Sequence, residues 1–333
     1  MTTPVLICDD SSVARKQMAK ALSEGWDFSL SFAANGAEAI ESIKAGKADV
    51  LLLDLNMPVM DGYETLQAIR RETLNSLVIV VSGDIQPDAR ERVLKLGALA
   101  FIQKPVVKEE LFDVLSQYGL VRDESAVAVR VEEASSEPMD LRDCCQEVAN
   151  VAMGQAADLL ARLLDVFVVL PVPNVNLLEP SELAMTLEAT AERDSVSVVS
   201  QGFVGGGIAG ESLLLIYDSS FQDVARLMKH EGEVDDHIER ELLMDVASIL
   251  IGACTKGVAE QLDVSFSQGH PSILGQHVDI AELVKQNQSR WGKTLAIEIS
   301  YSIENFDISF DLLLLITEDS LDSMNKKLSF MLE

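Results

Sequence analysis

The chain has 333 residues, of which 48% are hydrophobic and 24% charged, and its formal net charge is −28. This length is typical of about two domains, and the composition is that of a globular protein with a sizeable core. So large a negative charge disfavours nucleic acids and anionic membranes as partners, because both are bound through basic patches.

The cysteines and the N-terminal residues indicate a cytoplasmic protein. Cys8, Cys144, Cys145 and Cys254 form no C-x-x-C pair and are typical of buried, reduced thiols. The first ten residues lack the charged start and long apolar stretch of a signal peptide. No apolar run approaches the ~20 residues that a membrane span needs, so we expect no membrane segment.

Residues 4–120 alternate short apolar runs with helical patterns. The runs lie at 5–8, 29–34, 49–55, 76–83 and 98–105. Several of them are apolar almost throughout, as expected for strands that helices cover on both faces. The alternation predicts an α/β domain over residues 1–121 with a doubly wound, parallel, five-stranded sheet.

Charged residues collect where the predicted strands end. Asp9 and Asp10 end the first strand, Asp54 ends the third, and Lys104 ends the fifth. Ligands of doubly wound sheets bind at the carboxyl ends of the strands. Three carboxylates meeting there would repel one another unless a cation lay among them, and oxygen ligands suit Mg²⁺. A carboxylate beside a metal and a lysine can act as a nucleophile toward a phosphoryl group.

These residues resemble the receiver domain of CheY-type response regulators. The motifs that carry the resemblance are "ICDDSSVARK", "LLLDLNMPVMDGYE", "VSGD" and "FIQKP". The resemblance implies that Asp54 is the phosphorylation site and takes its phosphate from a histidine kinase. It also implies that Asp10, Asp54 and the backbone carbonyl of Asn56 bind Mg²⁺ directly, while Asp9 acts through water.

The same resemblance implies roles for three further residues. Ser82 and Lys104 would contact the phosphoryl oxygens, and Phe101 would be the switch aromatic. Departures from the usual motif are mild, with Ser at position 82 and Gly at position 83. The alternative is a receiver fold that no longer takes phosphate. Such domains usually lose an acidic residue or the lysine, and this chain has them all.

Residues 122–139 are acidic and rich in Ser and Ala, which predicts a linker that could be helical in part. Beyond them, residues 140–333 contain an internal repeat. The stretch "SLLLIYDSSFQDVARLM" at 212–228 aligns with "DLLLLITEDSLDSMNKK" at 311–327.

Two further patterns extend the repeat. A helical stretch at 140–165 aligns with one at 239–262. In residues 294–316 apolar and polar residues alternate, as expected for a β-hairpin with one buried face. We therefore predict an α+β domain with pseudo-two-fold symmetry, in which long helices pack on an antiparallel sheet.

A polar stripe recurs on the two predicted long helices. The first helix has Asp143, Glu147, Asn150 and Gly154, and the second has Glu241, Asp245, Ser248 and Gly252 at the equivalent positions. An E-x-x-N pair alone is common on solvated surface helices. Its context in a duplicated fold makes it more informative. A helical glycine costs about 0.5–1 kcal/mol relative to alanine, so the paired glycines predict a close approach by a partner or by the other helix.

The stretch "DCCQEVANVAMG" resembles the signature of the CheC/CheX/FliY family of chemotaxis phosphatases. The resemblance implies that Asn150 orients a water in line with the scissile bond of an aspartyl phosphate. It also implies that Glu147 pairs with the lysine of the receiver substrate. Asp245 and Ser248 depart from the signature, so we expect one working site and one degenerate site. Asp143 is interpreted as favouring the start of its helix.

Two functions of the second domain remain open. The first is hydrolysis of the aspartyl phosphate of a CheY-type receiver. A separate protein is favoured as the substrate, but a linker giving an effective concentration of about mM also makes the chain's own Asp54 credible. The second is a non-catalytic module that sequesters a CheD-like deamidase or a flagellar switch component under the control of Asp54. A DNA-binding response regulator is disfavoured by the chain's net charge of −28.

Overall fold

The computed structural model describes residues 2–22, 28–120, 130–131, 141–190, 195–287 and 292–330. The chain divides into two compact units, residues 1–147 and 148–331. The boundary between the units falls inside a single long helix, α6 (Leu141–Leu164). The first two turns of that helix are therefore part of the first unit.

A parallel sheet with flanking helices forms the first unit. Its strands are β1 (Thr3–Cys8), β2 (Phe28–Ala33), β3 (Val50–Leu53), β4 (Leu77–Ser82), β5 (Ala100–Gln103) and β6 (Arg130–Val131). Its helices before α6 are α1 (Ser12–Leu22), α2 (Gly36–Lys44), α3 (Gly62–Glu72), α4 (Pro87–Leu96) and α5 (Lys108–Gln117). The strand order is β5-β4-β3-β1-β2-β6. The predicted five-stranded parallel sheet is confirmed, and β6 extends it by one short strand.

The central strand β3 explains why this sheet is apolar on both faces. Leu51 and Leu53 lie in one core with side chains of α2, α3 and α4. Val50 and Leu52 lie in a second core with side chains of α1 and α5. Burying a leucine or valine side chain stabilises the fold by about 1.5–3 kcal/mol. Strand β3 is thus anchored from both sides, and so is the position that follows it, Asp54.

Most of the predicted linker, 122–139, lies outside the described residues. The exception is β6, where Arg130 and Val131 pair in parallel with Ser29 and Leu30 of β2. This described part is a strand and not the helix considered above. The local sequence "VAVRV" is rich in β-branched valine, which favours a strand.

An antiparallel sheet and its helices form the second unit. After α6 come β7 (Val168–Val169), β8 (Asn174–Leu178), α7 (Pro180–Thr190), β9 (Val196–Gly205), β10 (Ile208–Tyr217) and α8 (Phe221–Leu227). The chain continues with α9 (Asp236–Gln261), β11 (Ser267–Gln268), β12 (Ser272–Val278), α10 (Ile280–Asn287), β13 (Thr294–Ile303), β14 (Ser309–Thr317) and α11 (Leu321–Phe330). The order of elements from α6 to α8 is the same as that from α9 to α11.

The sheet interleaves the two halves of that repeated order. Its strand order is β11-β9-β10-β14-β13-β7, with β12 also beside β9 and β8 also beside β13. The short strands of each half therefore pair with the hairpin of the other half. The pairings between these strands are antiparallel, as predicted.

Helices cover the hairpin strands more completely than the alternating pattern predicts. Leu213, Leu215, Leu313 and Leu315 pack with side chains of α7 and α10. Helix α9 contacts β9 and β10 as well. The alternating pattern does not predict the layer formed by α7 and α10. It explains why the leucine runs of β10 and β14 are apolar on both faces.

Helix α9 is long and apolar enough to cross a membrane by length and composition alone. Its apolar residues, among them Leu243, Val246, Leu250 and Cys254, are buried within the structure. We therefore interpret α9 as a core helix. The four cysteines are all buried, as expected from the sequence.

The two helical glycines of α9 have different surroundings. A Cβ on Gly252 would meet no heavy atom within 4 Å, whereas a Cβ on Gly257 would come within 2.8 Å of the Cα of Ala152 on α6. The close approach of α6 and α9 predicted from Gly252 thus occurs one and a half turns later, at Gly257. The helix contact at Gly257 was not predicted because the equivalent position in the first copy is not a glycine.

The substitutions Gly257→Ala and Gly252→Ala should change stability in opposite directions. Gly257→Ala forces two helix backbones apart and should lower the free energy of unfolding by about 1–3 kcal/mol. Gly252→Ala adds a methyl group in open space and should raise it by about 0.5–1 kcal/mol. Urea unfolding of both variants checks this, and equal effects would contradict the assigned packing.

A histidine joins three elements of the second unit. His277 Nδ1 lies 2.9 Å from Asp218 Oδ2, and its Nε2 lies 2.9 Å from Glu239 Oε2. The hydrogen bond to Asp218 raises the pKa of His277 above its usual 6.5, and the charges of Asp218, Glu239 and Asp236 add to this. The charged imidazolium is therefore the form that the folded state favours.

This histidine should make stability depend on pH. Because the folded-state pKa is raised, its contribution is fully present below about pH 6.5 and is lost as pH rises through the folded-state value. His277→Gln should accordingly lower the free energy of unfolding more at pH 6 than at pH 9. The exposed His270→Gln is the control. A loss that does not change with pH would exclude the imidazolium.

Candidate functional site

The carboxyl ends of β1, β3 and β5 bring four predicted site residues together. Carboxylate oxygens of Asp9, Asp10 and Asp54 lie within 4.8 Å of one another. Lys104 Nζ lies 2.7 Å from Asp9 Oδ2 and 3.4 Å from Asp54 Oδ1. Asp9, Asp54 and Lys104 are buried. The arrangement is thus a buried acidic pocket with one cation at its edge.

Local backbone contacts hold Asp54 in place. Its backbone N–H donates to the Cys8 carbonyl at 2.9 Å, and its carboxylate accepts from the Asn56 N–H at 3.1 Å. Helix α3 begins directly against this turn. A Cβ on Gly62 would come within 2.4 Å of the Asp54 carbonyl oxygen, so only glycine allows this approach.

The pocket carries more negative charge than Lys104 neutralises. Burial, and then the charge of Asp9, raises the pKa of Asp10 to about 7. Burial also raises the pKa of Asp54, with further contributions from Asp9 and Asp10. Burial by itself would lower the pKa of Lys104, but the surrounding carboxylates outweigh it and raise that pKa well above its usual value. Lys104 therefore stays charged, and the carboxylates favour a second cation.

The donor set of this pocket fits a Mg²⁺ ion. Hard divalent cations prefer carboxylate and carbonyl oxygens, which Asp10, Asp54 and the main chain at Asn56 can supply. Asp10 Oδ1 is buried, with no hydrogen-bond partner among the described residues. An unpartnered buried carboxylate oxygen is costly, and coordination to a cation would satisfy it.

Two other predicted residues lie near the ends of β4 and β5. Ser82 is fully buried, and its Oγ accepts a hydrogen bond from the Asp84 N–H at 3.2 Å. Phe101 is half-buried and packs against the core that contains Leu51 and Leu53. Both residues therefore lie in the first unit, on the strands where the motif predicts them.

The first two turns of α6 contact this pocket. Glu147 Oε1 lies 3.5 Å from Lys104 Nζ. Gln146 Nε2 donates to Asp10 Oδ2 at 3.0 Å. At the beginning of the helix, Asp143 Oδ2 accepts a hydrogen bond from Ser12 Oγ at 3.0 Å.

Two of these contacts were not predicted. Asp143 lies in the first turn of α6, as expected, but it also bonds Ser12 at the start of α1. Gln146 was missed because it lies about 100° around the helix from Glu147, outside the polar stripe. No signal in a single sequence identifies it.

Glu147 and Asn150 are both buried, each with 4% of its surface exposed. Burial raises the pKa of Glu147, and the Lys104 charge acts in the opposite direction. Both polar atoms of the Asn150 amide are buried, with no hydrogen-bond partner among the described residues. Leaving such groups unsatisfied costs about 1–3 kcal/mol, so this amide is suited to a bound water or ligand.

The equivalent positions on α9 have different surroundings. Asp245 and Ser248 are exposed. Ser248 Oγ donates to the Met244 carbonyl of its own helix at 2.7 Å. The second copy therefore lacks both the amide and the burial found at Glu147 and Asn150.

Comparisons with known proteins match the first unit. Residues 5–116 match the family model of the response regulator receiver domain. The chain is 30% identical over 116 residues to the chemotaxis protein CheY of Halobacterium salinarum, a match covering 35% of this chain and 96% of that protein. It is 40% identical over 107 residues to a protein-glutamate methylesterase/protein-glutamine glutaminase of Geobacillus kaustophilus, covering 31% of this chain and 30% of the relative.

Two further matches cover different shares of this chain and of the proteins it resembles. The chain spans only 7% of a hybrid signal transduction histidine kinase of Dictyostelium discoideum, with 33% identity over 124 residues. Among solved structures, Thermotoga maritima FliY is similar with a TM-score of 0.43 and 17% identity, covering 57% of this chain and 96% of that one.

Adding Mg²⁺ should stabilise the folded protein through the acidic pocket. A ligand at a hundred times its dissociation constant stabilises by about 2.7 kcal/mol. Asp10→Asn removes one charge, so it should make the metal-free protein more stable while reducing the gain from Mg²⁺. Urea unfolding with and without Mg²⁺ checks both effects.

The exposed Asp113→Asn on α5 is the matched control, with an unchanged Mg²⁺ response. The response should weaken as pH falls below about 7, because protons compete for Asp10. An equal gain from Mg²⁺ in wild type and Asp10→Asn would place the cation elsewhere.

Proposed function

Because the chain belongs, through residues 5–116, to the response regulator receiver family, we propose that it couples a phosphoacceptor receiver to a phosphatase that acts on the aspartyl phosphate of a CheY-type receiver. In this proposal Asp54 accepts a phosphoryl group from a histidine kinase. Helix α6, with Glu147 and Asn150, then catalyses hydrolysis of an aspartyl phosphate. The protein would work in the cytoplasm, in two-component signalling of the chemotaxis type.

Phosphoryl transfer to Asp54 uses the pocket at the carboxyl ends of the strands. The P–N bond of a phosphohistidine breaks as a carboxylate oxygen of Asp54 bonds to phosphorus. Asp10, Asp54 and the Asn56 carbonyl would hold Mg²⁺, which would supply positive charge for the phosphoryl oxygens. Lys104 supplies the second positive charge, and Ser82 supplies a hydroxyl donor.

Hydrolysis needs a water held in line with the P–O bond of the aspartyl phosphate. The oxygen of that water attacks phosphorus, the bond to the aspartyl oxygen breaks, and the carboxylate leaves with inorganic phosphate as the product. Asn150 has an amide that can both donate to and accept from a water. Correct positioning of this kind is most of what a protein contributes to phosphoryl transfer.

The contact between Glu147 and Lys104 is the observation that carries this proposal. Its atoms are 3.5 Å apart and both side chains are buried, so the pair is shielded from water. Asn150 follows Glu147 by three residues and therefore lies on the same side of the helix. In this proposal Glu147 sets the register of the helix on a receiver lysine, and Asn150 lies one turn further along the same helix.

The order of elements supports a CheC-like fold for the second unit. The same sequence of helices, short strands and hairpin occurs twice, as a pseudo-two-fold domain requires. One copy has the Glu147/Asn150 pair, and the other has the exposed Asp245 and Ser248. We therefore propose one working phosphatase site and one degenerate site.

Burial of Glu147 and Asn150 favours an alternative function, that of a non-catalytic binding module. If Glu147 and Asn150 stay buried, no partner reaches them, and the second unit would be a non-catalytic binding module controlled by Asp54. A CheD-like deamidase or a flagellar component is the kind of partner proposed for such a module. Binding that survives loss of both side chains, with no phosphatase activity in the wild type, would favour this function.

Asn150→Ala should lengthen the lifetime of the phosphoryl group on an added CheY-type receiver by about 10²-fold relative to the wild-type chain, because the attacking water loses its orientation. The assay follows release of inorganic phosphate after that receiver is phosphorylated with a small-molecule phosphodonor and Mg²⁺ and the full chain is added. Ser248→Ala, at the equivalent position of α9, is the matched control and should leave the lifetime unchanged.

The stability of the variant separates catalysis from folding. Because the Asn150 amide has no partner among the described residues, Asn150→Ala should be at least as stable as the wild type. Equal phosphoryl lifetimes of the added receiver with a folded Asn150→Ala and with the wild type would rule out the phosphatase assignment.

A further inference from the structure

We infer that Arg15 is a positioning residue for the acidic pocket, because it fixes the backbone of Asp10 and with it the direction of the carboxylate that would hold Mg²⁺. All the residues concerned lie in the first unit. This role deepens the proposed function, on whose phosphoacceptor pocket it rests. Arg15 belongs to the motif "ICDDSSVARK", but the roles that the resemblance implies do not include it.

One guanidinium nitrogen of Arg15 bridges two consecutive carbonyl groups. Its Nη1 donates to the backbone oxygen of Asp9 at 2.5 Å and to that of Asp10 at 3.1 Å. Arg15 is half-buried and lies in the first turn of α1, directly after the turn that leaves β1. Hydrogen bonds from a charged donor are roughly twice as strong as neutral ones, and arginine in a protein is always charged.

The two bridged carbonyl groups belong to the peptide planes on either side of the Asp10 Cα. A peptide group is planar, so only φ and ψ of Asp10 decide how these two planes are turned relative to one another. A donor that holds both carbonyl oxygens at once therefore restricts both angles. It thereby fixes the direction of the Cα–Cβ bond of Asp10 and aims the carboxylate.

Other hydrogen bonds in the same turn hold the neighbours of Asp10. The Asp9 N–H donates to the Ala33 carbonyl at 3.1 Å, and the Ser11 N–H donates to Asp9 Oδ1 at 2.9 Å. These bonds anchor the residues on both sides of Asp10. Arg15 adds a restraint at Asp10 itself, which is the residue that must present its carboxylate to a metal.

Arg15 acts on Asp10 by orientation and not by neutralising its charge. Burial, and then the charge of Asp9, raises the pKa of Asp10 to about 7, and the cation that opposes this rise is Lys104. The guanidinium bonds to the main chain and leaves the carboxylate available. Asp10 Oδ1 is buried, with no hydrogen-bond partner among the described residues, so coordination to a cation would satisfy it.

The sign of the effect on Mg²⁺ affinity distinguishes this role from a purely electrostatic one. A guanidinium near the pocket repels Mg²⁺, so removing its charge alone would tighten binding. Removing the restraint on Asp10 would weaken binding. Groups that orient a metal ligand without touching the metal change metal affinity by about 10- to 100-fold when they are removed, so the positioning effect should dominate.

Arg15→Met tests this role in the full chain, because methionine keeps an apolar side chain of similar length and has no N–H donor. We expect its dissociation constant for Mg²⁺, measured by calorimetric titration, to rise about 10- to 100-fold. The control Arg90→Ala removes an exposed positive charge on α4 and should not weaken binding. Binding by folded Arg15→Met as tight as in the wild type, or tighter, would overturn the inference.

Arg15→Lys decides the question if Arg15→Met does not fold, which circular dichroism of the metal-free protein would show. Lysine keeps the charge but lacks the planar, fixed arrangement of N–H groups, so the dissociation constant should rise about two- to tenfold. In that case a dissociation constant no higher than that of the wild type would contradict positioning by Arg15.

Phosphorylation of Asp54 by a small-molecule phosphodonor gives a second readout. The Mg²⁺ concentration that gives half the maximal rate should rise in Arg15→Met, whereas the rate at saturating Mg²⁺ should change less than about twofold. A lower saturating rate with unchanged half-saturation would assign Arg15 a structural role instead.

The Mg²⁺ titration is independent of the proposed function. If the wild type binds Mg²⁺ but is neither phosphorylated nor active as a phosphatase, the proposed function fails, and the dissociation constant of Arg15→Met still decides the role of Arg15. If the phosphatase is active and Arg15→Met binds Mg²⁺ as the wild type does, the proposed function stands and the role of Arg15 is wrong.

Discussion

One buried lysine organises the chemistry of this protein. Lys104 lies within 4 Å of carboxylates from Asp9, Asp54 and Glu147, and only 2% of its side chain is exposed. A buried charge is tolerated only when it is paired, so each carboxylate helps to keep the lysine charged in place. Phosphorylation of Asp54 would add negative charge beside the same ammonium group. The state of Asp54 and the position of Glu147 are therefore coupled through a shared cation.

The two units are built in different ways. In the first, buried strands deliver side chains to one edge of a parallel sheet. In the second, a repeated order of elements yields two long helices, α6 and α9. Only α6 combines a buried glutamate with a buried, unpartnered amide among the described residues. The order of elements in this unit occurs twice, and the exposed Asp245 and Ser248 of α9 stand at the positions equivalent to Glu147 and Asn150.

Much of this arrangement could be predicted from the sequence because it follows from periodicity and motif. The apolar run ending at Asp54 predicts a buried strand, and parallel strands bring Asp9, Asp10 and Lys104 to one edge. The repeat predicted two hairpins and two long helices. By contrast, the strand at Arg130–Val131, the helix contact at Gly257 and the hydrogen bond of Gln146 depend on long-range packing. Such contacts have no local pattern.

The shared cation can be tested most directly by NMR of the lysine ammonium groups in the full chain. We expect Lys104 to give a slowly exchanging ammonium signal, assigned by its loss in Lys104→Met. That signal should shift in Glu147→Gln, because one of its carboxylate partners is neutralised, and should not shift in the control Glu231→Gln. A Lys104 signal that is identical in wild type and Glu147→Gln would show that Glu147 does not contact this lysine, and the proposed role of Glu147 would lose its basis.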